Sequence, residues 1–440
     1  MKCETYIFKK IMEYSSMSER ILRSLENIIK HDFELADFSI VPTEDNTKNK
    51  SPVLYESHHL GLESWCIKYV YQYVCSELFK VRKNLAEKKI GYLIRDNLNY
   101  LLMGGLLINP DINTFWNMRR ELVESDILSI EEELKFCKLV LTRKHKSNEA
   151  FSYRRWLLKR ILEKMSKNGI VPSINILQNE LSVSELAATG SQNNYHAWTH
   201  RIWCMEHFVP FFPHILTQEL EFSERWISEH VSENTGYHYR QFLIKLLKNQ
   251  RDIPLLMTYF NEVITKLNLL NDGEPSQLLI LLLGKPLKNK SLEDISKHIN
   301  VIVLLLYELF VVIENINNVY TEHESLWLHR RFILFSLIQL ANEYFGENSK
   351  ITKKITFNNT TSQMYNKNFI NFVVNDNSGE KQAKIFKTQP SKFESSNLYR
   401  VLSNCEKEFI SKNTGQSLLQ IDLARRYEKW LKLIVGFDLT

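Results

Sequence analysis

An aromatic residue followed three positions later by Arg occurs five times, as Trp116/Arg119, Phe151/Arg154, Trp198/Arg201, Tyr237/Arg240 and Trp327/Arg330. Successive aromatics lie 35, 47, 39 and 90 residues apart. A helix-sized motif recurring at such intervals reads as stacked helix pairs, because one pair cannot bury its apolar face alone. The 90-residue interval is about two repeat lengths and reads as holding one degenerate or missing copy. Segments Asp252 to Leu270 and Leu278 to Leu283 are where that copy would fall. The expected fold is all-α, a solenoid of helical hairpins.

The densest copy is Asn194-Tyr195-His196-Ala197-Trp198-Thr199-His200-Arg201-Ile202-Trp203. On a helix, Trp198, Arg201, Ile202 and Met205 share one stripe. The Trp would fill the seam between repeats. The half-buried Arg would need a carboxylate or carbonyl from the next helix, which fixes the stacking register. Asn113, Asn148, Asn194 and Asn234 precede four of the aromatics and suit a helix N-cap; the fifth copy has Glu324 instead. The plain alternative for most of these residues is scaffold.

With 56 basic and 51 acidic residues the net charge is only +5, which gives no case for nucleic acid or an anionic membrane. The six cysteines contain no CxxC pair, so neither a zinc site nor a disulfide framework is expected. The start is not a signal peptide, and the apolar run Val301 to Ile313 is too short to span a bilayer. A reduced cytoplasmic protein without membrane insertion is expected.

Residues 1–90 read as an N-terminal region, with an amphipathic helix from Ser18 to His31, an extended stretch from Phe33 to Val41 and a loop over 43–54. Repeats are expected over 91–345. Each motif helix has a candidate partner before it, at Ile130 to Leu141, Ile174 to Ala188, Ile215 to Val231 and Asn300 to Asn315. Residues 346–397, rich in Asn, Lys, Ser and Thr, read as a mobile low-complexity insertion in which Phe369 to Val374 could form a short strand. Residues 398–440 read as a C-terminal capping helix.

Repeats with Asn, an aromatic, then Arg and a following Leu or Trp resemble those of protein prenyltransferase alpha subunits, over roughly residues 100–340. The string Asn109 to Leu122 (NPDINTFWNMRREL) resembles the opening repeat of the Rab geranylgeranyltransferase alpha subunit. Five or six repeats, the 47-residue spacing and the long late insertion point to a divergent branch of that family. The resemblance implies a right-handed α–α superhelix wrapping a separate beta subunit. That partner would hold the zinc and the geranylgeranyl diphosphate, leaving no cofactor and no metal in this chain.

The resemblance also implies site residues. A Lys five positions before the second aromatic assists departure of the diphosphate in better-known relatives; here it is Lys146, with Asn148 where Tyr is expected. Such a Lys would stabilise charge that builds on the leaving group, and the alternative is an ordinary solvated Lys. Glu149 stands where farnesyltransferase-like relatives carry a Gln that binds a substrate carboxylate. A Glu would repel that carboxylate by a few kcal/mol on the order of magnitude of Coulomb's law at intermediate dielectric, which favours geranylgeranyl transfer with a Rab-type beta subunit. Tyr195 and His196 match a Tyr-His pair facing the beta subunit and substrate. His200 follows His196 at a metal-ligand spacing, but no third ligand is evident in sequence, and His329 before Arg330 mirrors His200 before Arg201. An interface role for Glu149, Tyr195, His196 and His200 is therefore expected, with a repeat role shared by His200 and His329.

The leading functional expectation is a non-catalytic or assisting alpha subunit of a protein geranylgeranyltransferase, acting on a protein with a C-terminal cysteine. The divergent relatives imply an already farnesylated SNARE as substrate. A helical-repeat scaffold with no enzyme partner is the second reading, resembling tetratricopeptide arrays. Those arrays rely on small Gly and Ala positions rather than on an Arg three after each aromatic. RNA binding would need a basic stripe or a repeated base-reading side chain, and neither is visible in the sequence.

Overall fold

The computed structural model describes residues 2–44, 49–86, 92–248, 257–267, 275–284, 299–345, 393–415 and 417–437. These residues are overwhelmingly helical and divide into two compact units, 1–212 and 213–440.

In the first unit, α1 (Lys2–His31), α2 (Ile67–Ala86) and α3 (Tyr92–Ile108) pack on one another. Leu22, Val74 and Leu106 are among their buried contacts. The close approach depends on two glycines of α3. A Cβ on Gly104 would come within 2.0 Å of Leu22, and one on Gly105 within 2.9 Å of Phe115. Between α1 and α2 lies a three-stranded sheet of order β1–β3–β2, where β1 is Asp37–Val41, β2 Val53–Glu56 and β3 His59–Glu63. β1 runs parallel to β3, with Phe38 beside Leu60, and β2 runs antiparallel to it. The extended stretch expected before residue 42 is therefore one strand of a sheet, and the segment read as a loop over 43–54 ends in another.

Five further helices complete the unit as repeats: α4 (Asn113–Glu124), α5 (Ile130–Arg143) with α6 (Asn148–Lys167), and α7 (Ile174–Thr189) with α8 (Tyr195–Phe208). β1 lies against α5, where the Phe38 N–H donates to Thr142 Oγ1 at 3.1 Å.

The second unit contains α9 (Ile215–Glu229) with α10 (Asn234–Lys248), then α11 (Met257–Lys266) and α12 (Pro275–Leu283). α13 (Ile299–Val319) follows, loosened by one π turn over Glu308–Val312, then α14 (Glu324–Phe345), α15 (Asn397–Asn413) and α16 (Leu418–Trp430). α13 is long and apolar enough to cross a membrane, but 78% of its most apolar window is buried by its neighbours, as in a core helix. The run from Val301 to Ile313, read as too short to span, is the centre of this longer helix.

The repeats are held by one construction. Each first helix carries a buried Glu, and 20 or 21 residues later its partner helix carries a Tyr or His that donates to it. The pairs are Tyr153 to Glu133 at 2.6 Å, His200 to Glu180 at 2.9 Å, Tyr239 to Glu219, His329 to Glu308 at 3.0 Å and Tyr427 to Glu406 at 2.9 Å. In four of these repeats the same Glu receives the motif Arg of the preceding repeat. Arg119 Nε donates to Glu133 at 2.7 Å, Arg154 Nη2 to Glu180 at 2.7 Å, Arg240 Nε to Glu308 at 2.7 Å and Arg330 Nε to Glu406 at 3.0 Å. Arg154 and Arg201 also reach back to the carbonyls of Leu134 and Leu181, each at 2.7 Å. These arginines are fully buried rather than half-buried, and Arg119, Arg154, Arg240 and Arg330 survive there because each charge meets a fixed counter-charge.

This clasp redraws the expected repeat boundaries. Arg240 meets Glu308 directly, so α13–α14 is the repeat next to α9–α10, and the intervening α11 and α12 are an insertion rather than a degenerate copy. Residues 398–440 contain two helices rather than a single cap, and Glu406 with Tyr427 makes them a further repeat. The ladder ends where its residues end: Met118 stands before Arg119 where later repeats have Tyr or His, and Glu428 follows Tyr427 where they have Arg. The expected insertion falls mostly on 346–392, and its expected strand, Phe369 to Val374, entirely so; both lie outside the described residues.

The motif aromatics fill the seams: Trp116, Phe151, Trp198, Tyr237 and Trp327 are all buried. Of the four expected Asn caps, Asn194 is one, its side chain accepting from the Ala197 N–H at 3.2 Å. α6 is capped instead by Ser147, which accepts from Ala150, so Asn148 is its first residue; α4 has no side-chain cap.

Candidate functional site

The N-terminal ends of the second helices present the functional candidates. The loop before α6, Lys144 to Ser147, is tied on both sides. Asp111 pairs with Lys144 and accepts from Ser147 Oγ at 3.1 Å. From α8, Asn194 Nδ2 donates to the His145 carbonyl at 2.7 Å. Lys146 sits between these anchors, exposed, and makes no ion pair among the described residues. Its position is fixed by its neighbours while its ammonium is left open.

Tyr195 is 43% exposed at the start of α8, beside a half-buried His196. Burial, then Arg155, pull the His196 imidazole below its ordinary range; Asp111 opposes them and Lys146 adds to them. These side chains therefore sense one another's charge across the α6–α8 seam. Glu149 is half-buried in the first turn of α6, accepting from Asn148 Nδ2 at 3.4 Å.

His200 lies elsewhere. It is 0% exposed and occupies the clasp position of its repeat, as His329 does in its own, so it offers no surface to a partner. The expected pairing with His196 is not what surrounds it; instead Glu180, His200 and Cys204 bring ligand atoms within 4.8 Å of one another. Three observations fit this cluster to the clasp and not to a metal. Both Glu180 oxygens already accept from Arg154. Burial pushes the Cys204 thiol well above its usual range, and a thiolate is what a metal requires. The equivalent Arg240–Glu308–His329 clasp forms with Ile333 where Cys204 stands.

Helix pairs joined by buried Arg–Glu clasps define a helical-repeat protein. The protein prenyltransferase alpha subunit repeat matches residues 130–161, 177–208 and 216–247, which are the α5–α6, α7–α8 and α9–α10 pairs. Protein prenyltransferase alpha subunit repeat-containing protein 1-B of Xenopus laevis is 32% identical over 344 residues, 75% of this chain and 75% of its own length. The human repeat-containing protein 1 is 31% identical over 336 residues, covering 73% and 78%. The alpha subunit of geranylgeranyl transferase type 2 from Rattus norvegicus is 28% identical over 154 residues, 33% of this chain and 24% of its own. The chain belongs to the family of protein prenyltransferase alpha subunit repeat-containing proteins.

Proposed function

We propose that this chain is the alpha-type subunit of a heterodimeric protein geranylgeranyltransferase, pairing with a Rab-type beta subunit in the cytoplasm. The observation that carries this reading is Lys146, held from both neighbouring repeats yet exposed and without an ion pair among the described residues. A loop anchored this way presents a fixed positive charge, which suits a diphosphate whose charge grows as its bond to the isoprenoid breaks. Zinc and geranylgeranyl diphosphate would be held by the beta subunit, and this chain would assist rather than perform the chemistry. Glu149 disfavours a free substrate carboxylate at its position, in keeping with a substrate other than a farnesyltransferase peptide. An already farnesylated SNARE is the substrate to try first.

Co-expression with Rab-type and farnesyl-type beta subunits, followed by size-exclusion chromatography, tests the pairing. A stable one-to-one complex with the Rab-type partner that transfers geranylgeranyl to a protein cysteine supports it. No complex with either partner would replace it with the helical-repeat scaffold.

A further inference from the structure

In three repeats the clasp Arg is followed at once by a second Arg: Arg119–Arg120, Arg154–Arg155 and Arg330–Arg331. The first of each pair is committed to the clasp. The second is half-buried and makes no ion pair among the described residues. Arg120 bonds only to Asn117 on its own helix, and Arg155 Nη2 only to Ser152 Oγ at 3.2 Å. Arg120 Nε and Arg331 Nε are shielded from solvent with no acceptor. Exposed cations nearby behave otherwise: Arg160 pairs with Glu124, and Arg426 with Asp422 and Glu324. A guanidinium that is partly desolvated without a counter-ion is costly unless something supplies the acceptors.

Aromatic rings stand beside two of these cations, Arg120 and Arg331. The residue three after each clasp Tyr or His is aromatic in every repeat: Trp156, Trp203, Phe242, Phe332 and Trp430. Each ring stacks on that Tyr or His with interplanar angles of 18°, 13°, 23°, 19° and 21°. Arg120 lies 5.7 Å from the Tyr153 and Trp156 rings. Within the second unit, Arg331 repeats this arrangement over Tyr427 and Trp430, at 6.0 and 5.8 Å.

We propose that the Arg120–Trp156–Arg155–Trp203 row of the first unit docks an acidic segment of a partner protein. Its carboxylates take the open guanidinium donors in pairs, and its backbone and apolar groups lie on the half-exposed indoles. Few, fixed guanidiniums in a chain of balanced charge suit the planar carboxylate better than the continuous phosphates of a nucleic acid. The inference rests on the subunit reading and specifies the partner's chemistry.

The test uses the full chain and a fluorescein-labelled peptide of alternating Glu and Tyr, twelve residues long, with a twelve-nucleotide single-stranded RNA as comparison. Fluorescence anisotropy should show the peptide binding wild type at low salt. Arg120→Gln/Arg155→Gln should weaken it at least tenfold with an unchanged melting temperature, and Arg426→Gln, in the second unit, should leave it unchanged. Absent peptide binding, equal binding by the double variant, or tighter binding of the RNA overturns the proposal. In the complex with the Rab-type beta subunit, the double variant should weaken assembly at least tenfold. Unchanged assembly overturns the docking row and leaves the subunit reading standing. Peptide binding without any wild-type complex does the reverse.

Discussion

Replacing Arg240 with Met tests the clasp where it also decides the repeat boundaries. Arg240 and Glu308 are both 0% exposed, and Glu308 otherwise holds only His329, at 3.0 Å. Burial alone would raise the Glu308 carboxyl; Arg240 and His329 outweigh it and hold the group below its usual range. Met keeps the aliphatic stem of Arg240 but strands the carboxylate, so the expected loss is about 3–5 kcal/mol. Glu308→Leu leaves Arg240 with Glu224 at 3.2 Å, and its expected loss lies at the low end of that range, about 3 kcal/mol. The double variant replaces both charges by apolar groups and should recover a coupling energy of about 2–3 kcal/mol. Because the chain has two units, a single global unfolding transition is not assumed. Hydrogen exchange in α10 and α13 alongside urea titration reads the local stability. Single variants within about 1 kcal/mol of wild type, or a strictly additive double, would refute the clasp and reopen 249–298 as a repeat.

Four shorter tests accompany it. Trp198→Ala should cost about 3–5 kcal/mol, measured by urea unfolding, because a buried Trp leaves a large cavity. His200→Tyr should be tolerated where His200→Ala is not, since Tyr fills the same clasp position at 153, 239 and 427, and added zinc should leave the melting temperature unchanged. Burial opposes ionisation of Glu180, but Arg154 and His200 hold its carboxyl down to about 2 against an ordinary 4.5, so its stabilisation is complete above about 4.5 and lost as pH falls towards 2. Burial lowers His200 below 6.5, so its neutral form favours the fold above that value and the advantage fades as pH drops beneath it; the melting temperature between pH 7 and pH 3 should fall, less steeply in Glu180→Gln. Lys146→Ala should leave folding and assembly with the beta subunit intact while slowing transfer, and a wild-type turnover rate would remove its assisting role.

The aromatic-to-Arg spacing was legible because it lies within one helical turn, where side chains three apart share a face. The Arg partner was foreseen in kind, as a carboxylate or carbonyl of the next helix. Its identity was not, because Glu and its Tyr or His stand 20 or 21 residues apart, across a helix, a loop and another helix. The signal was nevertheless present: a Tyr or His precedes Arg154, Arg201, Arg240 and Arg330, and a Glu lies 20 or 21 residues before each of them. The 90-residue gap misled because interval counting assumes the chain advances one repeat at a time. The sheet was illegible beyond its first strand for a related reason, since β1 pairs with β3 across 22 residues and neither strand carries a long alternating pattern. At the candidate site, Lys146 could be placed by motif, but the anchoring by Asp111 and Asn194 is three-dimensional. His200 was read both as a repeat residue and as an interface residue, and its burial leaves only the first.

The Arg240–Glu308 and Arg330–Glu406 clasps join partners 68 and 76 residues apart in the chain. Lengthening a connection costs little, about 0.6 kcal/mol for each doubling, so the joints between these repeats are free to drift in length. The interval inside a repeat has far less freedom: from Glu to its Tyr or His the clasp closes over 20 or 21 residues in all five repeats. Over time such a chain should accumulate insertions at its joints and almost none within its units, so that relatives keep the same beads on strings of different length.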